Sequence, residues 1–135
     1  MLGKIYSGKL TKKHKEDAGQ DIYSSETTLI PARDSAVLHT DLVIGIPMGC
    51  VGLIWSRSGL SVKHKLEVGA GCIDSLYRGE ILVHLYNHSD YDYTVNAGDR
   101  IAQLLTIPIM VDTYLQSVLD EQTVRGTNGF GSTGK

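Results

Sequence analysis

One stretch of the chain combines a carboxylate and an aromatic ring within a glycine-rich segment. It covers residues 69–80 and reads GAGCIDSLYRGE. Asp74 and Tyr77 stand between its glycines, Gly69, Gly71 and Gly79. A carboxylate held in a tight loop can orient or deprotonate a water molecule, and a nearby tyrosine can pack flat against a sugar ring. The pattern predicts a hydrolytic acid beside a sugar-binding surface, but an Asp-Ser turn with a core tyrosine also fits it.

A second stretch, Arg57-Ser58-Gly59, has the groups that bind phosphate oxygens. An arginine fork, a hydroxyl and an unhindered backbone amide together suit a phosphate. Taken alone, the tripeptide is also compatible with an ordinary loop arginine. Glycine and charge interrupt apolar segments again at residues 18–22, at residues 98–104 and in the glycine-rich end from Arg125. Each cluster is a weak signal by itself, so their meaning depends on whether the fold brings them together.

The elements that must position these clusters are short. Segments with alternating or continuous apolar residues cover residues 35–46, 80–86, 91–95 and 101–109, with turn signals between them. Frequent turns between short strands are typical of an all-β barrel or sandwich. Residues 58–65 are predicted to hold one or two helical turns, whereas residues 111–120 are ambiguous.

No interdomain linker or internal repeat interrupts this pattern. We therefore predict one β-barrel domain over residues 1–124. The glycine-rich residues 125–135 are predicted to form a flexible C-terminal arm.

The composition limits the classes of partner. The chain has 135 residues and a formal net charge of -2, so a broad basic face for nucleic acid is not expected. Its longest uncharged run, residues 42–55, is too short to span a bilayer, and no membrane contact is expected. A cytoplasmic location is predicted (the host cytoplasm for a viral protein, with the nucleus possible for a eukaryotic one). There, Cys50 and Cys72 would be reduced and buried as small apolar residues. His84 and His88 lack a nearby cysteine pair, so no zinc site is predicted.

Taken together and in this order, the polar clusters resemble the five ordered motifs of the trimeric dUTPases (deoxyuridine triphosphate nucleotidohydrolases). The strongest pieces are VGAGCIDSLYRGE, AGDRIAQLL and RGTNGFGSTG, and the resemblance runs from Ala18 to Gly134. It implies a distorted jelly-roll-like β-barrel that forms a homotrimer. Each active site would lie between subunits, and the C-terminal arm of one subunit would close over a site built by the other two.

The resemblance also implies a reaction and a set of roles. The family hydrolyses dUTP to dUMP and pyrophosphate by water attack at the α-phosphorus, with Mg²⁺ bound to the triphosphate. Asp74 would activate the water and contact the 3′-hydroxyl, and Tyr77 would lie under the deoxyribose. The backbone from Gly69 to Ile73, including Gly71 and Cys72, would read uracil.

The remaining implied contacts are to the triphosphate and to the base. The phosphate contacts would come from Arg57, Ser58, Gly59 and Gln103. The arm would contribute Arg125, Phe130, Gly131, Ser132 and Thr133, with the Phe130 ring over the uracil. Asp21 would reach Mg²⁺ through water, the metal being held mainly by substrate phosphates.

The sequence departs from the family pattern at several positions. They are Gln20 in place of an aromatic or apolar residue, Trp55-Ser56 before Arg57, Cys72 for an aliphatic residue, Leu76 for an acidic one and Asn128 for a glycine. None of these changes removes a group to which the resemblance assigns chemistry. They affect the shape of the phosphate loop and hence rate and affinity.

Two other classes of function remain to be distinguished. The related dCTP deaminases share the fold and the phosphate loops, but deamination needs an acid/base group at the pyrimidine. The expected pyrimidine hairpin contains no glutamate, since Glu67 and Glu80 flank it. A non-enzymatic nucleotide-sensing or protein-binding relative would be expected to have lost Asp74 or the arm, and both are present.

Overall fold

Short β-strands make up most of the regular structure. The computed structural model describes residues 2–120 and 122–131. The strands are β1 (Lys4–Ser7), β2 (Leu10–Thr11), β3 (Gln20–Tyr23), β4 (Thr28–Ile30), β5 (Ser35–Leu38), β6 (Val43–Gly45), β7 (Cys50–Trp55), β8 (Leu66–Gly69), β9 (Cys72–Ile73), β10 (Val83–Asn87), β11 (Tyr93–Val95) and β12 (Arg100–Pro108). The described residues form one helix, α1 (Ser58–His64), which confirms the predicted helical turns. Within the described ranges, no helix is long and apolar enough to cross a membrane.

The strands pair into four sheets, and every pairing is antiparallel. The sheet orders are β1-β6, β5-β10-β8, β11-β4 and β2-β3-β12-β7-β9. All four sheets contribute to one buried cluster. For example, Ile44, Leu85, Ile30 and Ile54 each come from a different sheet. Sheets that surround a single core in this way confirm the predicted all-β architecture.

The nine-residue strand β12 is the element that positions the polar clusters. It lies between β3 and β7, with Gln103 opposite Asp21 on one side and opposite Trp55 on the other. Residues directly opposite each other in an antiparallel pair share a face of the sheet. This register therefore brings Asp21 and Gln103 together, close to the end of β7 that leads into Arg57.

Some sequence expectations were wrong in detail. The apolar run 35–46 forms two strands, β5 and β6, and Asp41 between them has a left-handed backbone conformation (φ 56°). Cys50 is half-buried, but Cys72 is exposed because it lies on β9 at the edge of its sheet. Both cysteines are free thiols, as predicted.

The structure also shows the surroundings of His84 and His88 and the conformation of residues 111–120. His84 lies on β10 and His88 directly follows that strand, and both rings lie close to the ring of Tyr86. Among the described residues, no group of three or more potential ligands could hold a metal ion. The ambiguous residues 111–120 contain neither strand nor helix, and they are exposed.

Candidate active site

A polar cavity of about 340 Å³ lies beside the end of β7. We call it the Arg57 cavity; it is lined by Lys13, Asp17, Ala18, Gly19, Asp21, Arg57, Ser58, Arg100 and Gln103. Three of these side chains are cationic and two are carboxylates. The cavity therefore combines hydrogen-bond donors with a positive charge excess, which suits an anion.

Asp21 holds two arginines at this cavity. Its Oδ1 lies 3.3 Å from Arg57 Nε and its Oδ2 lies 3.6 Å from Arg100 Nη1. The Asp21 side chain is only 20% exposed, whereas that of Arg100 is 48% exposed. A guanidinium has five N–H donors, so both arginines keep donors for a ligand while the carboxylate fixes their orientation.

Gln103 is fixed by packing as well as by hydrogen bonding. Its Nε2 donates to the Ser56 carbonyl oxygen at 2.9 Å. A methyl group at Gly19 would overlap Gln103 Oε1 and come within 3.0 Å of its Cβ and Cδ. A side chain at position 19 would therefore displace the Gln103 amide from its place at the cavity.

Ser56 connects this cavity to the neighbouring strand β8. Its carbonyl oxygen accepts from Gln103, and its Oγ accepts from the Val68 backbone N–H at 3.0 Å. Proline, which is frequent at this position in the family that the sequence resembles, has no hydroxyl to make the second bond. Ser56 thus adds a link between β8 and the segment that leads into Arg57.

A second cavity, of about 190 Å³, lies beside β9 and the loop that follows it. We call it the Asp74 cavity; it is lined by Cys72, Ile73, Asp74, Tyr77, Glu80 and Leu82. We call residues 66–73 the hairpin, although β8 pairs with β10 and β9 pairs with β7 rather than with each other. The hairpin lies flat on β7, because Ile54 N–H donates to the Gly71 carbonyl oxygen at 2.7 Å. A methyl group at Gly71 would come within 2.5 Å of the Ile54 carbonyl oxygen, so only glycine allows this approach.

The Asp74 carboxylate and the Tyr77 ring meet at this second cavity. Both residues are exposed, and Tyr77 keeps 42% of its surface accessible. The Tyr77 backbone N–H donates to the Asp74 carbonyl oxygen at 3.1 Å, which closes a tight turn between them. A carboxylate and an aromatic face are thus presented together to solvent, as the sequence predicted.

Glu80 also lines the Asp74 cavity, and its charge state bears on the deaminase alternative. A hydrogen bond from His39, with further donation from the Asp41 and Thr40 backbone N–H groups, holds the pKa of Glu80 below its usual value. A general acid works best with a pKa near the operating pH. Glu80 is therefore poorly suited to donate protons to a pyrimidine.

The two carboxylates at the Arg57 cavity could supply few ligands to a Mg²⁺ ion. Asp21 and Asp17 line the Arg57 cavity, but Asp21 is paired with two arginines, and Asp17 Oδ2 accepts from the His14 backbone N–H. Mg²⁺ commonly uses one or two carboxylates, waters and substrate phosphates. Two carboxylates with these other partners would suit only a cation that brings most of its oxygen ligands with it.

The described part of the arm lies apart from both cavities. Phe130 is fully exposed, and Gly131 has a φ of 73°. Arg125 Nε donates to the Asn128 carbonyl oxygen at 2.8 Å, so the turn at 125–128 is held by its own atoms. In the described part of the arm, the residues with positive φ angles are Gly126 and Gly131, and Asn128 is not one of them. Ser132 and Thr133, the other predicted arm contacts, lie outside the described residues.

The structure groups the predicted residues into two sets. Asp21, Arg57, Ser58 and Gln103 meet at the Arg57 cavity, with Gly59 following in α1. Cys72, Ile73, Asp74 and Tyr77 meet at the Asp74 cavity, with Gly69 and Gly71 in the same hairpin. The linings of the two cavities share no described residue.

Sequence reasoning missed several residues at these cavities. They are Lys13, Asp17 and Arg100 at the first cavity and Glu80 at the second. The basic run at residues 12–15 was a signal for Lys13, and the quoted AGDRIAQLL segment contained Arg100. Glu80 ends the quoted VGAGCIDSLYRGE segment, but its partners had no local signal, because they lie about forty positions away along the chain.

Comparison with known proteins supports the resemblance. A family model described as dUTPase matches residues 6–134. The deoxyuridine 5′-triphosphate nucleotidohydrolase of Kluyveromyces lactis is 47% identical over 126 residues, which cover 93% of this chain and 85% of that protein. The corresponding protein of Oryza sativa subsp. japonica is 49% identical over 118 residues, covering 87% of this chain and 68% of that protein.

Solved dUTPase structures have the same fold as this chain. The dUTPase of Staphylococcus bacteriophage 80alpha, solved with dUPNHPP, has a TM-score of 0.91 at 32% identity over 99% of both chains. A mutant dUTPase of phage phi11 of S. aureus has a TM-score of 0.80 at 28% identity, covering 91% of this chain and all of that one. That phage phi11 structure describes the coordination of a structural Mg(II) ion.

Proposed function

Since the chain belongs to the dUTPase family, we propose that it hydrolyses dUTP to dUMP and pyrophosphate. In a cell this reaction would limit uracil incorporation into DNA and supply dUMP for dTMP synthesis. The observation that carries the proposal is the pair of cavities. One offers arginine, serine and glutamine donors for phosphates, and the other offers a carboxylate beside an aromatic ring.

The residues present suffice for the proton and charge requirements of the reaction. Asp74 takes a proton from the attacking water, whose oxygen forms a bond to the α-phosphorus. The bond from the α-phosphorus to the oxygen bridging the α- and β-phosphates breaks, and pyrophosphate leaves. Arg57, Ser58 and Gln103 donate to phosphate oxygens as negative charge moves onto the leaving group. Mg²⁺ bound to the triphosphate would neutralise part of its charge.

The base and the sugar would be read at the hairpin. The backbone between Gly69 and Ile73 is held flat against β7, which offers main-chain donors and acceptors to a pyrimidine edge. Such a slot rejects cytosine, because the polar pattern on that edge is inverted and buried groups would be left unpaired. Tyr77 would lie beneath the deoxyribose, where a 2′-hydroxyl would clash.

We further propose that the active site is completed by other copies of the chain in a homotrimer. In one chain, the Asp74 cavity and the Arg57 cavity are separate, although one dUTP molecule has to meet both sets of residues. A cyclic arrangement places one surface of each subunit against a different surface of the next. It would therefore set the hairpin of one subunit opposite the Arg57 cavity of another, with an arm from the third.

The activity can be tested with four nucleotides. Purified protein is incubated with Mg²⁺ and dUTP, dCTP, dTTP or UTP, and pyrophosphate release is measured. We expect release from dUTP alone. Formation of a uracil nucleotide from dCTP would instead identify a deaminase, and no turnover of any nucleotide would identify a non-enzymatic relative.

A further inference from the structure

Residues 74–80, the loop that carries Asp74 and Tyr77, form neither strand nor helix. The position of this loop relative to the barrel therefore depends on individual contacts. Internal hydrogen bonds give the loop its local shape. Arg78 Nη1 donates to the carbonyl oxygens of Ser75 at 2.7 Å and of Tyr77 at 2.9 Å. These bonds lie within the loop, and the Arg78 guanidinium is 5.9 Å from the centroid of the exposed Tyr6 ring, so a firmer contact is needed to fix the loop to the barrel.

The Glu80 carboxylate makes that attachment. Its Oε2 accepts from the backbone N–H groups of Thr40 at 3.1 Å and Asp41 at 2.9 Å, and its Oε1 lies 2.9 Å from His39 Nδ1. These partners lie in the turn between β5 and β6, where Asp41 has a left-handed backbone (φ 56°). A carboxylate that accepts two backbone N–H bonds stabilises this strained turn and ties the loop to it.

The same turn is closed by bonds to the residue after Glu80. Thr40 Oγ1 donates to the Ile81 carbonyl oxygen at 2.5 Å, and Ile81 N–H donates to the Leu42 carbonyl oxygen at 2.8 Å. Thr40 and Ile81 are buried. These bonds fix the chain directly after Glu80, and the Glu80 carboxylate fixes Glu80 itself to the same turn.

The Glu80 backbone in turn sets the position of the Tyr77 ring. The Tyr77 hydroxyl donates to the Glu80 carbonyl oxygen at 2.7 Å. A methyl group at Gly79 would overlap the Tyr77 hydroxyl and come within 2.6 Å of Cζ, so the ring lies directly against the Gly79 backbone. One end of the ring is fixed by Glu80, while its face stays open to the Asp74 cavity.

The pKa shifts of His39 and Glu80 are those expected of an ion pair between them. The hydrogen bond and the charge of Glu80 raise the pKa of His39, and the more distant carboxylates of Glu26 and Asp41 act in the same direction. The pair is charged between the lowered pKa of Glu80 and the raised pKa of His39. Above the pKa of His39 the imidazole loses its charge, but the carboxylate keeps its two backbone donors. Because the His39 side chain is 52% exposed, its ion pair contributes little by itself.

From these contacts we infer that Glu80 is a positioning residue that fixes the Tyr77 ring and thereby sets how strictly the enzyme rejects a ribonucleotide. The inference rests on the proposed function, in which Tyr77 lies beneath the deoxyribose. If the ring tilts or withdraws, the space that a 2′-hydroxyl needs becomes available. Glu80 would act through the ring and not on the reacting atoms.

The test is the ratio of kcat/KM for dUTP to kcat/KM for UTP. Glu80→Ala is expected to lower this ratio by roughly 10- to 100-fold, since a displacement of about 1 Å at a positioning group can cost that much. Tyr77→Phe removes only the bond to the Glu80 carbonyl oxygen and should lower the ratio in the same direction. It keeps the inference testable if Glu80→Ala does not fold.

Conservative variants separate positioning from general stability. Glu80→Gln should keep the ratio of the unmodified enzyme, because its amide oxygen can accept the two backbone bonds and its amide nitrogen can donate to neutral His39. Glu67→Gln, on an exposed carboxylate 3.9 Å from His88, is the matched control and should leave the ratio unchanged. Tm is measured for every variant.

Two results would count against the inference, and they differ in what else they overturn. If Tyr77→Ala relaxes selection against UTP while Tyr77→Phe and folded Glu80→Ala keep the normal ratio, Glu80 is only structural and the proposed function stands. If Tyr77→Ala leaves selection unchanged, the sugar is read elsewhere. In that case both the role of Tyr77 and the inference fall.

Discussion

Replacing Asp74 by asparagine is expected to lower kcat for dUTP about 10²- to 10⁴-fold, which is the usual contribution of a general base. Asparagine has the same size as aspartate but cannot take a proton from water. Asp74 is exposed at its cavity, and no described residue donates a hydrogen bond to its carboxylate. The substitution should therefore leave the hairpin and the binding of a non-hydrolysable dUTP analogue intact.

Steady-state kinetics and analogue binding, measured on the same preparation, check this prediction. The matched control is Asp90→Asn, which removes a carboxylate from an exposed ion pair with Arg33 at 2.8 Å. Exposed pairs contribute little to stability, and Asp90 lies in neither cavity, so this variant should turn over dUTP normally. Turnover of Asp74→Asn at the level of the control would show that Asp74 does not activate the water.

Deleting residues 125–135 is expected to leave a folded protein with about 10²- to 10⁴-fold lower kcat/KM. A hydrogen bond to a charged group contributes about 1.5–3 kcal/mol, and stacking of an aromatic ring on a base about 1–3 kcal/mol. Loss of one Arg125–phosphate contact and of the Phe130 stack together gives this range, at about 1.4 kcal/mol for each factor of ten.

The folded state should survive this deletion because the arm contributes nothing to the described core. The buried hydrophobic residues end at Leu104, and Phe130 is fully exposed. Tm and the circular dichroism spectrum should match those of the full chain. As a graded control, Phe130→Ala keeps the arm and should lose only about 5- to 150-fold, the stacking share. Full activity of the truncated chain would rule out a role for the arm in closing the site.

Local patterns predicted the strands and the chemistry, but not the long-range contacts. The alternation at residues 80–86 predicted a strand, and β10 forms there with Val83 and Leu85 buried. The break between β5 and β6 was not predictable, because the left-handed Asp41 is held by Glu80, which lies 39 positions further along the chain. A single sequence gives no local sign of such a partner.

At the candidate site, too, local patterns indicated some residues, whereas others depend on long-range contacts. Glycine next to charge indicated the segments that contain Arg57, Asp74 and Tyr77, because tight turns and close backbone approaches often need glycine, but each segment alone was a weak signal. The roles of Arg100 and Ser56 were not predictable, since both depend on the register of β12 and β7. Register follows from the packing of the whole sheet rather than from any short segment.

The most direct test of the account is a mixing experiment with two inactive variants. Asp74→Asn and Arg57→Ala chains, with different tags, are co-expressed, and the assemblies that carry both tags are assayed for pyrophosphate release from dUTP. Each variant alone should be nearly inactive, with the size and Tm of the unmodified protein as the control for folding. If an active site joins the Asp74 cavity of one chain to the Arg57 cavity of the next, a trimer that carries both tags should regain about one third of its sites, because only one of its three chain pairs combines an intact Asp74 with an intact Arg57. If both cavities of one chain served the same site, every site would carry a defect and mixing would restore no activity, which would contradict the account.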